Sequence, residues 1–148
     1  MKKLYLKILF FISLFALVQA NASQSNYFEQ GLDSYKKENF EDSKILFEKD
    51  IVFNPKNEKS YLYLAKIFNK KDNDISQEVN LNSVLLLDPQ NEEAIYMLAL
   101  LKIKQSNYNK SQELIEKFAL VCNTFCSKKS EMQKKLNTIA PENEKSNN

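Results

Sequence analysis

From Tyr27 onward the apolar residues return every three or four positions, which is the spacing of one face of an α-helix. In the stretch Tyr27 to Lys37 they are Tyr27, Phe28, Leu32 and Tyr35. The pattern breaks at Glu38-Asn39 and resumes from Phe40 to Phe53. This predicts a helix, a tight turn and a second helix. The same layout runs from Ser60 to Leu87, broken at Lys71 to Asp74, and from Glu92 to Val121, broken at Ser106-Asn107. The one glycine is Gly31, and the prolines are Pro55, Pro89 and Pro141, so long stretches carry no breaker. An all-α chain of three successive helical hairpins is expected.

The hairpins share a period. Asn54-Pro55 and Asp88-Pro89 each close a second helix, 34 residues apart. The same shift superposes Tyr27, Tyr61 and Ile95, then the small residues Gly31, Ala65 and Ala99, then the turn pairs Asn39-Phe40, Asn73-Asp74 and Asn107-Tyr108. Further on it superposes Phe47, Leu81 and Ile115, then Ile51, Leu85 and Ala119, then Phe53, Leu87 and Val121. Small residues let paired helices approach closely, and the phased apolar set can bury a continuous core between neighbours.

A helix-turn-helix period of this length, with an aromatic opener, a small residue at the helix contact and a closing proline, resembles the tetratricopeptide repeat family. The resemblance covers Ser25 to about Asn123. It implies an α-solenoid of about three hairpins, over residues 24–57, 58–91 and 92–123. The chain departs from the family where an alanine is usual early in the second helix (here Ser43, Gln77 and Ser111) and where a small residue is usual later (Asp50, Val84 and Phe118). A carboxylate at a packing position must be solvated or paired, so Asp50 is the least comfortable of these. Asp74 opens the second helix of the middle hairpin in place of an aromatic, which predicts looser packing there. Asn123 stands where a third proline would fall.

Beyond the repeats, Phe125, Met132, Leu136 and Ile139 fall on one side of a helix whose other side is Lys128, Lys129, Glu131, Lys134 and Lys135. Residues 124–140 therefore read as a capping helix over the apolar end of the solenoid. The tail 141–148 is polar, with the composition of a disordered segment. At the other end, Lys2, Lys3 and Lys7 precede an apolar run from Ile8 to Val18, and Ala20-Asn21-Ala22 offers small residues for cleavage. Residues 1–22 read as a secretory signal cleaved before Ser23, which places the protein in the periplasm or outside the cell. The run is too short to span a bilayer, so no membrane insertion is expected after cleavage; retention as an anchor is the alternative.

Composition narrows the function. The formal charge of +2 falls to −1 once the three lysines of the signal are removed, which leaves no basic footprint for nucleic acid. The chain has no histidine, and a single glycine cannot build a phosphate-cradling loop. No catalytic constellation, cofactor motif or metal-ligand set stands out, and a non-enzymatic role is expected. Cys122 and Cys126 lie four apart at the junction of repeat and cap. Export and spacing make a disulfide feasible, and its use would be to fix the cap angle. Reduced core cysteines, a redox-active pair or a metal site are the other readings, although no further Cys or His ligand is present.

The resemblance also implies where a partner sits, because the first helix of each hairpin lines the concave groove in this family. The implied lining is Phe28, Leu32 and Tyr35, then Leu62, Tyr63 and Lys66, then Tyr96, Met97, Leu100 and Ile103. Lys36, Lys70 and Lys104 recur by the period and would stand along one groove edge. A peptide or helix with apolar anchors and some acidic residues would complement this surface. The competing reading packs several of these residues between neighbouring first helices and leaves the lysines as a solvated rim. Chaperone-binding members clamp a terminal carboxylate with Lys, Arg and Asn; the matching positions here are Phe28, Leu32, Tyr63, Glu93 and Met97, so no such clamp is expected. The functions implied are an adaptor for a partner protein in the envelope, a self-associating structural protein, or a thiol accessory acting through Cys122 and Cys126.

Overall fold

A computed structural model of the chain describes residues 26–140; the expected signal segment 1–22 and the tail 141–148 lie outside the described residues. Among the described residues the order is α1 (Tyr27–Lys36), α2 (Phe40–Phe53), α3 (Glu58–Lys70), α4 (Asp74–Leu87), α5 (Glu92–Lys104), α6 (Tyr108–Val121) and α7 (Lys128–Ile139). The helices pair as α1–α2, α3–α4 and α5–α6, each hairpin packs on the next, and α7 closes the far end against α5 and α6. The architecture is an all-helical solenoid. No described helix is long and apolar enough to cross a membrane.

The three turns within hairpins are built alike. Asn39, Asn73 and Asn107 each turn a side-chain oxygen toward the backbone N–H three residues on, at 3.5, 3.0 and 3.3 Å, and so cap α2, α4 and α6. The residue before each cap is left-handed: Glu38 has φ 59°, Asp72 51° and Ser106 58°. The sequence pattern marked the break without showing this conformation, because none of the three is glycine. Side chains at such φ values cost free energy that glycine does not. Glu38→Gly is therefore expected to stabilise the protein by about 0.5 to 1 kcal/mol. A chemical-denaturation midpoint that moves down would show that Glu38 bears no strain.

Within the first hairpin, Gly31 faces Phe47. A Cβ on Gly31 would sit 2.9 Å from two carbons of that ring, so the absence of a side chain makes room for the large aromatic. Ala65 and Ala99 hold the same position opposite the smaller Leu81 and Ile115, all four fully buried or nearly so. The hydroxyls at the usual alanine position are used: Ser43 donates to the Gly31 carbonyl at 2.9 Å and Ser111 to the Ala99 carbonyl at 3.1 Å, tying the helices of each hairpin. Gln77, the middle counterpart, is buried, and its Oε1 has no hydrogen-bond partner among the described residues.

Asp50 resolves its own difficulty. Its carboxylate is 1% exposed and accepts from Asn54 Nδ2 at 2.9 Å, Asn57 Nδ2 at 2.7 Å and Ser60 Oγ at 2.6 Å. It thereby holds the turn after α2 against the first turn of α3. The looser packing expected of the middle hairpin does not arise. Leu64, Ala65, Ile67, Leu81 and Val84 are all buried, and Asp74 pairs with Lys104 at 2.7 Å where an aromatic would otherwise pack.

The buried side chains form two clusters. Phe47, Leu64 and Ile67 gather the partly buried Phe28, Tyr35, Phe40, Ile51, Tyr63 and Phe68 about them. A larger cluster runs from Leu62 and Ala65 through α4, α5 and α6 to Met132, Leu136 and Ala140. The cap seats Met132 and Leu136 as expected, but Ile139 is half exposed and Ala140 is buried instead. The chain leaves helical geometry at Ala140, with φ −66° and ψ 132°, which turns that small residue inward at the end of α7.

Candidate functional site

The first helices α1, α3 and α5 meet through side chains. Tyr63 on α3 is the joint with the first hairpin: its ring stacks on Phe47 at 5.1 Å and meets Phe28 at 6.1 Å and Tyr35 at 5.0 Å, both edge-on. Lys66, one turn further along α3, reaches across to α5, where it pairs with Glu93 at 2.9 Å, and its ammonium lies 4.7 Å from the Tyr63 ring centroid. Burial pushes the Tyr35 phenol above its usual value, and the nearby Tyr63 and Glu93 push it the same way. The face formed by the first helices thus has an aromatic and ionic centre made of Tyr35, Tyr63, Lys66 and Glu93.

Apolar ground lies on either side. Phe28 and Leu32 lie on the α1 side, and Tyr96, Met97 and Leu100 on the α5 side; all are partly exposed. At that second end the cap contributes: Tyr96 Oη donates to Glu131 at 2.8 Å, and Lys128 lies 5.4 Å from the Tyr96 ring centroid while pairing with Glu131 at 2.7 Å. Burial and the hydrogen bond to Glu131 raise the Tyr96 phenol. The capping helix is therefore a wall of this site, a role that spacing alone did not reveal.

Two residues expected on the lining are absent from it. Leu62 is 8% exposed and Ile103 1%, and both sit in the core. First-helix residues on the flank of the lining are taken up in packing against the neighbouring hairpin. The lysine edge also changes. Lys104 pairs with Asp72 at 3.2 Å and Asp74 at 2.7 Å, and these hydrogen bonds raise its pKa. Lys70 lies 4.9 Å from the Phe40 ring centroid, whereas Lys36 makes no ion pair among the described residues. Lys71 with Glu41, and Lys102 with Glu78 at 2.5 Å, staple later repeats to earlier ones in the same direction.

The fold has solved counterparts. The first tetratricopeptide domain of Spaghetti (RPAP3), solved with the HSP90 peptide SRMEEVD, superposes with TM-score 0.71 at 12% identity, over 84% of this chain and 99% of that one. The OM64 domain of Arabidopsis superposes with TM-score 0.69 at 16% identity, over 78% and 95%. The Sgt2 domain of Aspergillus fumigatus gives 0.66 at 16% identity, over 86% and 83%. The chain has the tetratricopeptide-repeat fold. No family model and no curated protein matches it in sequence.

At the end of this tetratricopeptide array, Cys122 and Cys126 are joined by a disulfide with Cα atoms 5.2 Å apart. They do not occupy one helical turn. Cys122 is already extended, with φ −62° and ψ 137°, and the bond closes an irregular loop between α6 and α7. A loop this short contributes only about 2 kcal/mol through chain entropy. The loop is also held from the groove side, since the Glu92 carboxylate accepts from Thr124 N at 3.2 Å and Phe125 N at 2.8 Å. Desolvation raises the Glu92 pKa, but the backbone hydrogen bonds from Phe125, Thr124 and Asn123 outweigh it and leave the pKa lowered. Its contribution is thus full above the ordinary glutamate range and is lost as pH falls through the depressed folded value. Thermal melts of Glu92→Gln should lie below those of the parent at neutral pH and converge with them on acidification. A gap that stays constant to low pH would separate Glu92 from the loop.

Proposed function

We propose that the protein is a non-enzymatic interaction module that holds a segment of a partner protein against the face of α1, α3 and α5. The observation that carries the reading is that face itself: partly exposed Phe28, Leu32, Tyr96, Met97 and Leu100 around a preset polar centre. Solved domains of the same fold support it, including one bound to a peptide. Lys66 is satisfied by Glu93, and the clamp positions carry Phe28, Leu32, Tyr63, Glu93 and Met97, so the segment bound is not a free terminal carboxylate. It is an extended or helical stretch with apolar anchors. Acidic residues would be tolerated at the α1 end, where Lys36 has no ion pair among the described residues. Export to the periplasm or beyond, read from residues 1–22, puts that partner in the cell envelope or outside it.

The test compares proteins co-purifying with the tagged parent and with Leu32→Glu plus Met97→Glu, after circular dichroism shows that the variant is folded. Partners that disappear with the variant support the reading. The same set recovered with both overturns it. The peptide SRMEEVD should show no saturable calorimetric binding at concentrations up to about 1 mM, where only contacts weaker than roughly 4 kcal/mol go unseen.

A further inference from the structure

The largest unused feature is on the opposite side, on the outward faces of the second helices. Exposed aliphatic residues recur there by the repeat period: Val52, Leu86 and Leu120 are 76%, 84% and 87% exposed, and Ile45 and Val79 are 48% and 60% exposed. Ile75 is 79% exposed on α4. On that helix Ile75, Val79, Asn82 and Leu86 are spaced four, three and four apart, which is the spacing of a coiled-coil seam with one polar residue inside it. None of these residues touches the groove of the first helices.

We infer that α4 pairs with α4 of a second copy of this chain, forming a two-fold dimer through the outer face. Area supports this occupant. At the stated exposures the six aliphatic residues present roughly 500 Å² of apolar surface, close to the apolar share of the 800 Å² or so that a stable interface takes from each partner. A two-fold axis crossing α4 antiparallel sets α2 upon α2 of the other copy, so that Ile45 and Val52 meet aliphatic residues. A parallel pairing would set them upon α6, where the matching outward positions carry Glu113 and Leu120, so that Ile45 would meet a carboxylate. Asn82 lies within the seam, where a polar group fixes register. Both peptide-binding faces then point away from the contact, and the dimer presents two grooves.

Sedimentation equilibrium of the purified protein over about 1 to 200 µM, the range in which interfaces of this size dissociate when weak, should give twice the monomer mass at the upper end. Val79→Glu with Leu86→Glu should weaken the dimer at least about 100-fold, because burying two carboxylates there is costly, and should leave the circular dichroism unchanged. Asn82→Cys offers a second measurement. The two native cysteines are bonded to each other, so a bismaleimide should cross-link the variant as a dimer through position 82 alone. A monomer at every concentration overturns the inference, as does a dimer that survives the double variant. Binding of phosphatidylcholine–phosphatidylglycerol vesicles by a monomeric parent, abolished in the double variant, would assign the stripe to a lipid surface and overturn it as well.

Discussion

Replacing Asp50 with alanine is expected to cost about 3 kcal/mol and to lower the melting temperature by roughly 10 °C. The carboxylate is buried and accepts three hydrogen bonds, from Asn54, Asn57 and Ser60. Its removal strands the Ser60 hydroxyl, which is fully buried, and leaves a cavity at the joint between the first two hairpins. The chain contains its own control. One period on, the positions of Asp50 and Ser60 are held by Val84 and Ala94, both fully buried. Asp50→Val with Ser60→Ala should therefore recover most of what Asp50→Val loses, because replacing both partners of a hydrogen bond avoids the desolvated orphan. A melt of Asp50→Ala within about 2 °C of the parent would mean that the carboxylate does not hold the turn, since even 1 kcal/mol should move it further.

Gly31→Ala is the second large effect, and its sign opposes helix propensity. Alanine in a helix interior is worth about 1 kcal/mol over glycine. Here the added methyl meets the Phe47 ring at 2.9 Å, and that ring is fully buried, stacked on Tyr63 and 5.7 Å from Phe28. It has nowhere to move, so a net loss of about 2 kcal/mol is expected. Phe47→Leu on the same background reproduces the Ala65 and Leu81 pairing of the next hairpin and should relieve the clash. Denaturant unfolding of the two single variants and the double variant measures the coupling. A stabilised Gly31→Ala would show that the ring has room to yield.

These two sites show what could be read in the sequence and what could not. The helices and their period were legible because apolar spacing, turn breaks and the two closing prolines are local signals that recur in phase. Asp50 was visible as a departure and Gly31 as one of the small contact residues, yet the residues that accommodate them, Ser60 on α3 and Phe47 on α2, lie on a neighbouring helix and become recognisable only when two columns of the repeat are read together. The left-handed Glu38, Asp72 and Ser106 gave no signal, since none of them is the glycine that usually marks such a position. On the candidate site, Phe28, Leu32, Tyr35, Tyr63, Lys66, Tyr96, Met97 and Leu100 are at the face of the first helices. Leu62 and Ile103 are not, because a rotation of one hairpin against the next decides whether such a position lines the face or packs beneath it. The contribution of Glu131 and Lys128 depended on where the cap docks, which no spacing within α7 encodes.

The division of the interior into two clusters makes the protein energetically bipartite. Leu64 and Ile67 of α3 belong to the aromatic cluster of the first hairpin, while Leu62 and Ala65 of the same helix belong to the aliphatic cluster that runs to the cap. The boundary follows one helix, so the first hairpin can open as a subglobal unit while the rest stays closed. Tyr63, packed against Tyr35 and Phe28 of α1, is the link across that boundary on the face of the first helices. A guest lying from Phe28 to Leu100 would bridge both units, and its binding energy would suppress the partial opening as well as the global one. Occupancy of the groove is thereby converted into folding cooperativity.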